Sequence, residues 1–342
     1  MPKEGIGMSA FLDEGVPNWK VKDIHQQLLV GQTLGLKWWT PRFVYDPLSG
    51  ENKNLVDLTD EQIKAVIKLS KDAGFQIACL GTGLGKEKLV DVDDGNKAKY
   101  TTPEQSKEKM ERVLEVADWV DSHFIRGFSY YGKLGDDPEK YYQQALDRLG
   151  PNVELCAEEG RIYLLELEGN LVAHTADIAL RFCRDVDNPY LLICYDNANS
   201  HVQGLDAFEE FEKVAKAKRV GYGHIKAFSK ECPKQIVVDE RALRDFCSVA
   251  LDKTGYRKVA EYLGKHWHTI DAQLRELGAP GFMNDMEGHM RGGGQFGGDS
   301  GPVGIGVALR AYTWLLDQNE VPYVLRTDRD VKKRPIPRKR AK

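Results

Sequence analysis

The sequence predicts a (β/α)8 TIM barrel. Three observations carry that expectation: apolar strand-like runs alternate eight times with amphipathic stretches along 342 residues, several helical stretches open on capping signals, and the strands of the second half end in polar residues. A doubly wound open sheet shares the alternation and is the second choice.

The first strand is "GIGMSAFL", Gly5 to Leu12, followed by an amphipathic stretch from Val21 to Leu34. "GLKWWTPRFV" reads as the second strand. Thr59 with Gln62 three residues on forms a capping box for the next helix, which stops at Gly74. "FQIACLGTG" is the third strand. Thr102, Pro103 and Gln105 then combine a cap, a proline in the first turn and a capping partner for a helix running to about Ser122. "HFIRGFSYYG" is the fourth strand.

The rhythm continues with a helix from Pro138 to Gly160, a strand from Arg161 to Glu168 and a helix from Thr175 to Val186. A strand from Tyr190 to Asn197, a helix begun at Asp206 and a strand from Arg219 to Phe228 follow. A helical insertion from Asp239 to Leu277 precedes the eighth strand, "GFMNDMEGH", and a closing helix runs from Ile305 to Gln318. Residues 1–325 are read as one barrel domain, with an insertion at about 229–278, a long loop at 288–304 and a basic tail at 326–342. The glycine cluster "LGTGLGK" lacks the spacing of a dinucleotide loop and the lysine-serine pair of a phosphate loop, so it is read as a barrel loop needing backbone freedom.

Composition narrows the function classes. With 42% hydrophobic and 29% charged residues the chain is an ordinary globular protein, and no apolar run reaches the ~20 residues of a membrane span. The N-terminus lacks a signal-peptide pattern, and a cytoplasmic location is expected. The six cysteines form no C-x-x-C pair and are expected to be reduced and mostly buried. Seven of the positive charges sit in the last eleven residues, "KKRPIPRKRAK", which leaves a strongly acidic body under the net charge of −4. That argues against nucleic acid as a partner and suits the tail to a solvated end or to docking on an acidic neighbour, including another subunit.

Function in such a barrel gathers at the C-terminal ends of the strands. Strand five offers Glu166 and Glu168, strand six Asp196, strand seven His224, and strand eight Asp285 and Glu287. Singly, each has a plain explanation: a histidine in the core, an aspartate capping a turn. Together, carboxylates that converge on one point need compensation, because burying them unpaired is costly. Three carboxylates and one imidazole with no thiolate outline a divalent-metal site of Glu166, Asp196, His224 and Glu287. The donors suit Mn²⁺ first, with Mg²⁺ or Co²⁺ as alternatives.

The stretch from "LLELEGNLVAHTADIALRFCRDVDNPYLLICYDNANSHVQG" through "RVGYGHIKAF" to "GFMNDMEGH" resembles the xylose isomerase-like TIM-barrel superfamily of sugar isomerases and epimerases. The match lies in the order and spacing of Glu166, Asp196, His224 (followed by Lys226) and Glu287, from about Arg161 to Glu287; the first 150 residues agree only in rhythm. The resemblance implies metal-assisted proton removal next to a carbonyl through an enediolate, with Glu166 and Glu287 as both metal ligands and the acid/base pair. Proton transfer by a carboxylate beside a dication needs desolvation to raise its basicity. His289 is a further candidate base. Glu168, Asn199, Lys226, Arg126 and Trp39 are candidates for binding substrate, Asn199 standing where the family often has a histidine. For Trp38, Trp39 and Phe43, core packing is the alternative to stacking on a ring.

The expected substrate is a small sugar or glycoside, and the expected assembly an oligomer, with or without a smaller second subunit. The expected reaction is isomerisation or epimerisation of a sugar or keto-sugar. A lyase acting by elimination on a keto-sugar keeps the same site; similar barrels dehydrate inososes or cleave 3-oxo C-glycosides. A barrel that binds metal and sugar without turnover is the non-enzymatic alternative. An apurinic-site endonuclease would need additional histidines that strands three and four do not supply.

Overall fold

In a computed structural model, described for residues 5–18, 20–226, 252, 254–287 and 302–327, the chain winds strand by strand around an apolar centre. β1 (Ile6–Ala10) leads through a short 3-10 turn to α1 (Ile24–Thr33), whose cap Asp23 accepts from the Gln26 backbone N–H. The expected second strand breaks in two. β2 is only Trp38–Trp39, and Phe43–Asp46 (β3) folds back on Glu51–Asn54 (β4) as an antiparallel hairpin. α2 (Asp60–Asp72) and α3 (Pro103–Val120) begin at the two capping boxes, each with both reciprocal hydrogen bonds formed. Between them lie β5 (Gln76–Ile77) and β6 (Leu80–Leu84).

β7 (Phe124–Gly127) precedes α4 (Tyr142–Glu158), which follows a 3-10 turn and carries Pro151 inside it. Then come β8 (Ile162–Glu166), α5 (Ala176–Val186), β9 (Leu191–Asp196), a short α6 (Asn197–Val202) absent from the sequence expectation, α7 (Ala207–Lys216) and β10 (Val220–Ile225). Of the insertion, the structure describes α8 (Tyr256–Glu276); β11 (Met283–Met286), α9 (Pro302–Gln318) and an unforeseen β12 (Tyr323–Val324) are the last described elements. The first part of the insertion, most of the 288–304 loop and the tail beyond residue 327 lie outside the described residues.

The main sheet runs β12-β1-β11-β10-β9-β8-β7-β6, all neighbours parallel. The gap between β1 and β6 is bridged by β2 and the segment after it. The Thr40 N–H donates to the Ala10 carbonyl, the Ala78 N–H to the Trp39 carbonyl and the Gly81 N–H to the Pro41 carbonyl. The strands curl into the (β/α)8 architecture, and their C-terminal ends converge on one mouth. Strands buried on both faces read as continuous apolar runs, as in "IYLL" and "LLIC", and each fully buried large side chain contributes about 1.5–3 kcal/mol.

Cys79, Cys156, Cys183 and Cys194 are buried and unpaired. Burial pushes the thiol of Cys183 up to about 11 and that of Cys194 up to about 12. In the glycine cluster, Gly85 has φ +76° and a side chain there would strike the Phe128 carbonyl at 2.0 Å, so this turn requires glycine. Among the described residues no helix is long and apolar enough to cross a membrane.

Candidate metal centre

β8 and β9 end on Glu166 and Asp196, β10 carries His224 one residue before its end, and Glu287 directly follows β11. Parallel register brings these positions to the same height: His224 pairs with Asp196 on one side and with Asp285 on the other. Glu166, Asp196, His224 and Glu287 each present one ligand atom, and the four atoms lie within 4.8 Å of one another. All four residues are buried.

His224 aims Nδ1 into this group, 3.1 Å from Glu287 Oε1, 3.5 Å from Glu166 Oε1 and 4.0 Å from Asp196 Oδ2. His224 Nδ1 and Asp196 Oδ2 are buried without a hydrogen-bond partner. Three carboxylate oxygens and an imidazole nitrogen crowded at one buried point repel one another, and a cation they share offsets that cost. The donor set therefore fits a divalent ion held by three carboxylate oxygens and one imidazole nitrogen.

A shell of polar groups holds the carboxylates. Arg126 Nη1 donates to Glu166 Oε2 at 3.1 Å, and its Nη2 donates to the Thr82 carbonyl at 3.1 Å. Asn199 Nδ2 donates to Glu166 Oε1 (3.3 Å) and to the Leu167 carbonyl (3.0 Å). Lys226 Nζ lies 2.6 Å from Asp196 Oδ2 and 2.8 Å from Glu287 Oε2, and donates to Asn199 Oδ1 at 3.2 Å. The contact with Asp196 is a close charge pair without hydrogen-bond alignment. Burial raises the Glu166 carboxyl, but His224 and Arg126 outweigh it and hold the group below the usual carboxylate range. Burial likewise opposes charge on Lys226, yet Asp196 and Glu287 keep its ammonium protonated far above the ordinary range.

The second nitrogen of His224, Nε2, faces Asp285 Oδ2 at 4.0 Å. Asp285 is not among the four clustered groups; its Oδ1 accepts from Thr40 Oγ1 (2.9 Å) and from the Tyr222 hydroxyl (3.1 Å). Phe11 packs edge-on against the imidazole at 5.1 Å and lies under both the Arg42 and the Arg126 guanidinium groups.

Of the sequence candidates, Glu166, Asp196, His224 and Glu287 come together, and Arg126, Asn199 and Lys226 contact them. Glu168 does not join the cluster. β8 ends at Glu166, and Glu168 is half-buried and paired with Lys86 at 2.7 Å. Trp39 is fully buried in the core, which is the packing alternative for that aromatic stretch, while Trp38 and Phe43 are half-buried. His289 lies outside the described residues.

Sequence reading missed one feature of the mouth. Lys22, Asp13, Arg42 and Glu14, from the segments after β1 and β2, are all buried and interlocked: Lys22–Asp13 at 2.5 Å, Arg42–Asp13 at 3.0 Å and Arg42–Glu14 at 2.5 Å. Acidic residues directly after an apolar strand, "FLDEG", were the available signal.

Residues 31–289 match the family model of the xylose isomerase-like TIM barrel. The chain belongs to that family. A curated relative, 3-dehydroshikimate dehydratase from Bacillus anthracis, is 27% identical over 111 residues, 32% of this chain and 40% of the relative. The chain thus aligns with less than half the length of that relative. Among solved structures, D-psicose 3-epimerase with D-tagatose from Clostridium cellulolyticum H10 superposes with a TM-score of 0.60 at 13% identity, covering 91% of this chain and 99% of the other. A xylose isomerase-like TIM barrel protein from Mycobacterium smegmatis in complex with magnesium gives 0.56 at 17% identity, covering 92% and 97%. These likenesses extend the family's fold over nearly the whole chain.

Proposed function

We propose that this barrel is a divalent-metal-dependent enzyme that removes and returns a proton next to the carbonyl of a sugar or keto-sugar, as an isomerase or epimerase. The observation that carries the reading is the buried set of Glu166, Asp196, His224 and Glu287, with ligand atoms within 4.8 Å. A divalent ion there, Mn²⁺ by preference, supplies Lewis-acid polarisation of substrate oxygen.

The remaining chemistry belongs to the chain. Glu166 and Glu287 come from strands on two sides of β10 and can take a carbon-bound proton and return one. Arg126, Asn199 and Lys226 offer N–H donors to substrate oxygens and to the negative charge that develops when the proton leaves. Phe11, against His224 and under the two guanidinium groups, keeps the imidazole from rotating and excludes water from its flank. Lys86 and Glu168, half-exposed and paired at the rim, are placed to meet hydroxyls farther along the substrate.

Incubation of the Mn²⁺-loaded protein in D₂O with a panel of ketohexoses and 3-keto-glycosides tests the reading. Deuterium is expected at the carbon beside the carbonyl, and Glu166→Gln and Glu287→Gln are each expected to slow exchange by about 10²–10⁴-fold. A protein that holds Mn²⁺ and exchanges no proton on any member of the panel would sink it. The identity with 3-dehydroshikimate dehydratase favours a second reading, elimination from the same enolate. It is told apart by the product: loss of water or aglycone with growth of enone absorbance, in place of an epimer.

A further inference from the structure

Lys226 stands out among the charged groups of the site because it already does part of what a metal would do. Its ammonium lies 2.6 Å from Asp196 Oδ2 and 2.8 Å from Glu287 Oε2, so it bridges two of the four carboxylate and imidazole groups that face one another. It is buried, and its Nζ also donates to Asn199, which in turn donates to Glu166. A belt of contacts therefore runs from Arg126 through Glu166, Asn199 and Lys226 to Asp196 and Glu287. The belt has two consequences. It holds three buried carboxylates in place, and it sets a full positive charge against the position an ion would take.

We propose that Lys226 is the internal counter-cation of this ligand set: a positioning residue that keeps Asp196 and Glu287 aligned in the metal-free chain and weakens the hold on a divalent ion. The inference rests on the metal reading above. Without Lys226, Asp196 and Glu287 would lose the ammonium that bridges them, leaving the imidazole of His224 to face all three carboxylates, and burying that excess of negative charge is unfavourable. Once a dication binds, the sign reverses, because an ammonium a few ångström from it repels it in a poorly screened interior. Loss of the charge therefore harms the stripped protein and favours the loaded one.

Calorimetric titration of Mn²⁺ into metal-stripped wild type, Lys226→Met and Lys226→Arg, with thermal melting of each stripped protein, tests this. Lys226→Met is expected to bind Mn²⁺ about tenfold tighter or more, and Lys226→Arg to stay near wild type. Stripped Lys226→Met is expected to melt below stripped wild type, and Mn²⁺ to raise its melting temperature by more than that of wild type. A merely structural lysine would weaken binding or leave it unchanged, and that result, with wild type binding Mn²⁺ normally, overturns the proposal while leaving the metal reading intact. Wild type that takes up no Mn²⁺ overturns both. Should Lys226→Met not fold without metal, Lys226→Gln, which keeps a polar end for Asn199, carries the same comparison, with tighter binding supporting the proposal and equal or weaker binding refuting it.

Discussion

Glu166 and Glu168 are two positions apart in "RIYLLELEGN" and would share a face if the strand ran through both. The strand stops at Glu166, so one carboxylate enters the buried cluster and the other turns to Lys86 at the rim. Sequence could place both at the end of the strand but could not locate its last ladder bond. The same holds for Gly223, which no sequence signal singled out. A methyl at Gly223 would lie 2.1 Å from Asn284 Oδ1 and 2.5 Å from the Tyr195 ring, both held in the hydrogen bond between the Tyr195 hydroxyl and Asn284. Gly223→Ala is therefore expected to cost about 1–3 kcal/mol in urea denaturation. It should also weaken Mn²⁺ binding, since His224 is the next residue; unchanged stability would show that β10 and β11 shift apart without strain.

Among the elements, the helices with strong local signals are where the sequence puts them. Thr59 with Gln62 and Thr102 with Gln105 form their boxes because the signal and the structure both lie within four residues. The β3–β4 hairpin, β12 and the short α6 were not legible. The hairpin's outer strand, "ENKN", is polar throughout, and β12 exists only because Tyr323 and Val324 meet β1 from the far end of the chain. The long connection from β6 to α3 is ordered by Asp94, which accepts from the Leu134 and Asn96 backbone N–H groups and from Lys88 Nζ at 2.7 Å. Those hydrogen bonds hold the Asp94 carboxyl well below the ordinary carboxylate range. A depressed folded-state value stabilises the fold fully above the unfolded pKa near about 4 and loses that contribution as pH falls toward the folded value. Asp94→Asn is thus expected to melt below wild type at pH 7, with the gap closing as pH drops below about 4. A gap that stays constant through that window would mean that the carboxylate's charge is not what holds the loop.

For the molecule as a whole, the barrel was legible because its strands alternate with helices throughout, and the four converging groups were legible because parallel register repeats their position strand after strand. What escaped was closure. It runs through single backbone bonds from Thr40, Ala78 and Gly81 to Ala10, Trp39 and Pro41, beside the interlocked charges of Asp13, Glu14, Lys22 and Arg42; "FLDEG" marks the acidic half of that cluster, but Arg42 reaches it from 28 and 29 residues away, beyond any local pattern. The buried thiols turn this architecture into its own stopwatch. Cys79, Cys156, Cys183 and Cys194 sit on or beside the barrel wall, and Cys194 is paired in register with Glu166. In a variant with Cys232 and Cys247 changed to serine, a thiol reagent is expected to react only as fast as the wall opens. Slower labelling of Cys194 after Mn²⁺ is added would time the breathing of the site without any substrate; equal rates would mean that the ion leaves that part of the wall as it was.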